Sequence, residues 1–347
     1  MERAWRRRRI GILANRAVKN NRQMSSFWSS FPRIREGLES VKARLLVQAD
    51  VLPPELRDEL SPLLRREGKF IRAGLILLSS GPEAGGQKDA VEGAAAAVEL
   101  LHLATLIHDD IVDQAALRRG EPTLYRKLGF QKAVLYGDLL LAASFRAVSR
   151  DVGADSARAL AELVTVMAAS ELQQLNDRFV LPVSPRRILR KTMGKTALLF
   201  SLSLYVGSRE GGRPESVSEG LRRAGYSLGM AFQLQDDLLD WTGDSDQMGK
   251  PVFEDLTSGV YTWPVALAWK QDPRQTRLEL SEVKEGKLAP AQLRDRWVDR
   301  GLAEQTAELV GLYANRARLD LDKALGDASK ERREWDVFLT TLLGRRD

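Results

Sequence analysis

Three aspartates, Asp109, Asp110 and Asp113, close one apolar stretch of this chain, and Asp236, Asp237 and Asp240 close another at the same spacing. Residues four apart lie one turn apart on one face of a helix. Asp109 and Asp113 therefore share a face if their segment is helical, as do Asp236 and Asp240. The flanking residues, HLATLIHDDIVD and FQLQDDLLD, are leucine-rich and free of helix breakers. Carboxylates held this close repel, and a divalent cation removes the repulsion. Magnesium in particular takes one or two carboxylates and fills its shell with substrate phosphates. A solvated acidic face is the plainer reading of one such cluster. Two clusters, each set among leucines, fit it poorly; facing each other, they would hold several metal ions and through them a diphosphate.

Cations of matching chemistry recur along the chain. Lys69 and Arg72 stand three apart in GKFIR, and Arg118 and Arg119 follow the first acidic motif. Arginine grips phosphate bidentately and lysine as a point charge. Lys195 and Thr196 open KTALLF, where the lysine is either a phosphate ligand or a snorkelling surface residue. The chain has no cysteine, which excludes disulfides, thiolate zinc sites and cysteine nucleophiles. Its two histidines, His102 and His108, are too few for a histidine-ligated phosphohydrolase centre. No Ser/His/Asp set offers covalent catalysis.

The elements that must position these residues read as helices. Apolar spacing predicts helices over Phe27–Leu64 with a break at Val51–Pro54, then over Ala90–Ile107, Phe130–Val148, Ala161–Phe179, Leu221–Asp240 and Thr262–Lys270. Ser79–Ala90 and Gly207–Ser218 read as connectors. Trp241–Gly259 reads as too polar for a core, a loop that closes over the ligand with Lys250 reaching in. No strand alternation stands out. The expected fold is all-α: a single-domain helical bundle over residues 25–347, with one core and a central active-site cavity between facing helices. No window approaches twenty uninterrupted apolar residues, so no membrane span is expected. The basic start is not followed by a sustained apolar run, so no signal peptide is expected.

The net charge of +6 is concentrated at the start: residues 1–22 carry a net +7 and the remainder −1. Residues 1–24 are thus either a disordered solubilising tail or a helix lying weakly on an anionic membrane surface. The folded body has no charge that would suit nucleic acid. A cytoplasmic protein, peripheral to the membrane if the tail binds it, is the expectation.

Read in order, GKFIR, DDIVD with RRGEPT, GDLLL, ELQQL, GKTALLF, FQLQDDLLD, GKP and DLTSGVYTWPVAL form a specific series. With it, the chain resembles the trans-isoprenyl diphosphate synthases (polyprenyl synthetases) from Phe27 to Leu343. The resemblance implies the isoprenoid-synthase bundle, a homodimer, and two or three Mg2+ ions on Asp109, Asp110, Asp113, Asp236, Asp237 and Asp240. It implies isopentenyl diphosphate on Lys69, Arg72, His102 and Arg119. An allylic prenyl diphosphate would lie on Arg118, Lys195 and Lys250, and Thr196 and Gln233 would also bind substrate. Asp109, Asp113, Asp236 and Lys195 would carry the catalysis. The family's GGKRxRP is altered at Glu67, Phe70 and Ala73, Ser170 replaces the glycine of GExxQ, and Val260 stands where a lysine is common.

Chain length is argued along the helix of Asp109, where one turn, about 5.4 Å, approximates one isoprene unit. Ala104 and Thr105, one turn before Asp109, are small where fifteen-carbon enzymes of the family carry a bulky aromatic. Leu101 lies a turn deeper. A product longer than fifteen carbons is expected. The alternatives are a catalytic subunit of a hetero-oligomeric synthase and a class I terpene cyclase. A cyclase usually has Asn, Ser/Thr and Glu in its second motif, not DDLLD.

Overall fold

The computed structural model describes residues 27–50, 52–66, 68–82, 87–118, 120–242, 254–326 and 329–344. Residues 1–24, Glu67, Arg119, Gly249 and Lys250, singled out above, lie outside them. The helices, in chain order, are α1 (Pro32–Ala49), α2 (Pro54–Leu64), α3 (Ile71–Ser79), α4 (Lys88–Val112), α5 (Leu124–Asp151), α6 (Ala154–Asn176) and α7 (Pro185–Thr192). A π-helical turn, Met193–Ala197, leads into α8 (Leu198–Glu210) and α9 (Glu215–Thr242). Then come α10 (Glu254–Thr257), α11 (Trp263–Gln271), α12 (Pro273–Lys284), α13 (Pro290–Asp299), α14 (Leu302–Leu325) and α15 (Lys330–Leu343). The all-α expectation holds.

The chain forms two compact units. The first runs to Ala159 and takes in Ser203–Glu219; the second comprises Leu160–Leu202 and Gly220 onward. In the first unit, α4 is buried along Val91, Ala94, Ala95, Val98 and Leu101. It is long and apolar enough to cross a membrane by composition, yet its apolar surface is spent on the unit's own core. The α4–α5 seam uses small residues: a Cβ on Gly137 would strike the His108 ring, one on Gly93 would strike Asp151, and Ser144 donates to the Ala97 carbonyl at 2.8 Å. Gly129, at φ 81°, kinks α5 between residues 124–128 and the rest of the helix, in a conformation that favours glycine. Trp28 packs edge-on against Phe31 and needs Gly74 bare.

The second unit is built around stacked Trp241 and Trp297, with ring centroids 4.9 Å apart, and a cluster that includes Val265, Leu280 and Leu293. Phe200 and Phe232 pair at 5.2 Å, and Trp335 with Phe338 at 5.8 Å.

Three local expectations need correction. The Gly207–Ser218 connector shrinks to residues 211–214, because Gly207 and Ser218 are helical. Gly207 is bare so that the Ile76 carbonyl can approach, not to break a helix. Trp241 is core, 5% exposed, although its neighbours in sequence are polar. A two-residue hairpin, β1 (Leu117–Arg118) with β2 (Glu121–Pro122), turns at Gly120, φ 77°. It is too short to show alternation.

Candidate active site

In the first unit the acidic motif occupies the C-terminal end of α4. That end presents unpaired carbonyls and a partial negative charge, an unfavourable place for three aspartates unless a cation joins them. Asp109 is half-buried and Asp113 is the exposed C-cap. Asp110 is 6% exposed and accepts from Arg118 Nε at 2.7 Å. Burial pushes the Asp110 carboxyl up, against the pull of Arg118. Arg118, expected at the allylic diphosphate, therefore commits its Nε to Asp110.

A cationic cradle stands beside this motif in the same unit. Phe70, left-handed at φ 49°, turns the chain into α3. The Lys69 carbonyl is pinned by Trp28 Nε1 at 2.6 Å. Arg72 Nη1 lies 3.0 Å from His102 Nε2. Arginine has no acceptor, so His102 accepts through Nε2 and carries its proton on Nδ1. Behind them Glu99, buried within α4, accepts the Ala73 N–H at 3.1 Å. Burial raises its pKa more than Arg72 lowers it. Glu99 was missed in the sequence. The signal was an acid in an alanine-rich run, three residues before His102.

In the second unit the other motif closes α9 in the same unfavourable sense. Asp236 is exposed, and Asp237 and Asp240 are buried. Thr196 Oγ1 donates to Gln233 Oε1 at 2.6 Å, and Gln233 Nε2 donates to Asp237 Oδ1 at 3.0 Å. Desolvation pushes Asp237 up to about 7, against the Lys191 charge and the Gln233 bond. Lys195 projects exposed from the π-helical turn. Gly194 in that turn is bare against Ser170, whose hydroxyl occupies the place a Cβ would need. Ser170 and Gly194 are thus complementary. Gln174 is buried and donates to Glu171 at 3.4 Å. A small cavity of about 40 Å³, lined by Gln174, Val183, Arg187, Lys191 and Tyr261 among others, opens beside them. Lys191 was also missed in the sequence, although it lies four residues before Lys195.

The chain-length candidates separate by face. Leu101 and Ala104 are buried, and Thr105 is half-buried. Ala104 shares the α4 face of Ala97 and His108, which meets α5; Thr105 turns towards the face of Asp109.

The donors suit a hard cation: each motif offers only carboxylate oxygens. Among the described residues no three acidic or histidine groups converge as a closed metal cage.

The family model for polyprenyl synthetases matches residues 53–294. Component 2 of the heptaprenyl diphosphate synthase of Bacillus subtilis is 35% identical over 66% of this chain and 66% of its own length. The match thus spans just under two thirds of that relative. The geranylgeranyl diphosphate synthase of Saccharolobus solfataricus is 33% identical over 76% of this chain and 79% of its own. A polyprenyl synthase from Caulobacter crescentus, crystallised with calcium and isoprenyl diphosphate, superposes with a TM-score of 0.82 at 27% identity. That superposition covers 94% of this chain and 98% of the other. The chain belongs to the polyprenyl synthetase family.

Proposed function

We propose that this chain condenses isopentenyl diphosphate with an allylic prenyl diphosphate, head to tail and in the trans sense, to give a polyprenyl diphosphate longer than fifteen carbons. The observation that carries this reading is the placing of both DDxxD motifs at the carbonyl ends of helices α4 and α9. Carboxylates so placed suit a divalent cation, and the basic residues Lys69, Arg72, Arg118 and Lys195 suit phosphate. A diphosphate bound with a divalent metal would satisfy both.

Mg2+, two or three ions per site, would supply charge neutralisation of the departing diphosphate. Asp109, Asp113, Asp236 and Asp240 would hold it, with Asp110 and Asp237 fixed behind them by Arg118 and Gln233. Lys195, Thr196 and Arg118 bind the allylic diphosphate, and Lys195 stabilises the charge that builds as the C–O bond breaks. Both electrons of that bond leave with the diphosphate. Lys69, Arg72 and His102 orient isopentenyl diphosphate so that its double bond forms the new C–C bond. A proton then leaves the adjacent carbon for the released diphosphate; no side chain in either cluster stands out as the base. The growing chain runs from Asp109 past Thr105 towards the N-terminus of α4.

The name of the Bacillus relative, component 2 of a synthase, favours one second reading: a catalytic subunit that needs a different partner. We favour a homodimer, since α5 and α6 each keep an exposed apolar face. Contact of residues 1–24 with anionic lipid and a cytoplasmic location remain part of the proposal. The test is product analysis. Purified chain with magnesium, radiolabelled isopentenyl diphosphate and farnesyl diphosphate should give labelled lipids beyond fifteen carbons. Folded protein with no incorporation would overturn autonomous activity and point to the partner-dependent form.

A further inference from the structure

We infer that Lys191 is a positioning residue for the allylic half of the site, clamping the strap Gly259–Thr262 beside the second acidic motif. This rests on the reading above only in assigning that half to the allylic substrate.

Three elements hold the strap. Phe179 N–H donates to the Gly259 carbonyl at 3.0 Å. Lys191 Nζ donates to the Tyr261 carbonyl at 2.8 Å. Trp241 Nε1, directly after Asp240, reaches Thr262 Oγ1 at 3.4 Å. Lys191 is the charged member, and its surroundings are those of a tether. Asp237, Asp255 and Glu171 attract its ammonium and Lys195 repels it, while burial pulls its pKa down. A lysine on a helix ordinarily extends its head into water. This one spends desolvation to donate to a backbone carbonyl, while its charge acts on Asp237 without a direct bond. Without it, Asp237 keeps the Gln233 bond but loses its nearby positive charge, and the strap loses its middle tie.

The test compares Lys191→Met, of similar length and uncharged, with Lys191→Arg. Hydrogen exchange is read at the two amides that fasten the strap, Phe179 N–H and Val260 N–H, the latter bonded to the Asp255 carbonyl at 2.8 Å. In the methionine variant both amides should exchange at least about tenfold faster. The KM for the allylic diphosphate should rise about tenfold with the KM for isopentenyl diphosphate unchanged, and arginine should restore most of it. Unchanged exchange at both amides overturns the clamp. Equal rises in both KM values overturn the positioning role in favour of general loosening. If the wild-type chain makes no prenyl product, the functional reading fails, while the exchange result still decides the clamp.

Discussion

Within each acidic motif the side chains divide by exposure, and their substitutions should divide the same way. Asp113 and Asp236 are exposed, so truncation removes little packing. Asp113→Ala and Asp236→Ala should each lower kcat/KM about 100-fold or more while leaving Tm within a degree or so. Parallel kinetics and thermal melts check this; a large loss of Tm would make these aspartates structural. Glu99 obeys the opposite logic. Its pKa is raised in the folded chain, so the stability linked to it is full below its unfolded value and is lost as pH rises through the folded one. Glu99→Gln keeps an acceptor for Ala73 N–H and removes the buried charge. The variant should match wild type near pH 4 and melt higher near pH 8, by roughly 1 kcal/mol or more. Melting curves across that range decide it. An equal or lower Tm at pH 8 would mean that Arg72 repays the cost of burial in full.

At the level of elements, most helices were legible because their apolar periodicity is strong; α4 is the clearest case. The misreadings have local causes. Gly207 and Trp241 each broke a composition rule for a packing reason, a carbonyl approach in one case and a tryptophan stack in the other. The acidic motifs and Lys69, Arg72 and Lys195 were legible as charges at helical spacing. Glu99 and Lys191 were not, since their importance lies in what they face across the fold. The α4–α5 seam sharpens the chain-length argument in the same way. Ala104 lies on the face that meets α5, so Ala104→Phe overfills a tight seam and should cost about 1–3 kcal/mol. Thr105 lies nearer the face of Asp109. Thr105→Phe should shorten the product with little loss of stability. Chromatography of dephosphorylated products, alongside denaturant titration, separates the two effects; full-length product from Thr105→Phe would refute the path past Thr105.

For the whole molecule, the apolar surface bears on assembly. In the first unit α5 exposes Leu135, Ala142 and Phe145 at one face, with Leu135 66% exposed. In the second unit α6 exposes Val166, Ala169 and Leu172 at another, with Leu172 64% exposed. Contiguous apolar patches on a surface mark interaction sites. A stable interface removes on the order of 800 Å² per partner from water, and two such helical faces are of the right kind to supply it. The wild-type chain should therefore sediment at about twice its 38.7 kDa across a wide concentration range. Leu135→Glu combined with Phe145→Glu puts two charges into the α5 face, where burial without partners is costly. This variant should sediment as a folded monomer with an unchanged helical circular-dichroism spectrum. If the wild type is itself monomeric and inactive, yet regains synthesis with a second, different protein, the same faces serve a heteromer. If it is monomeric and fully active, neither face is needed for the chemistry, and the site is complete within one chain.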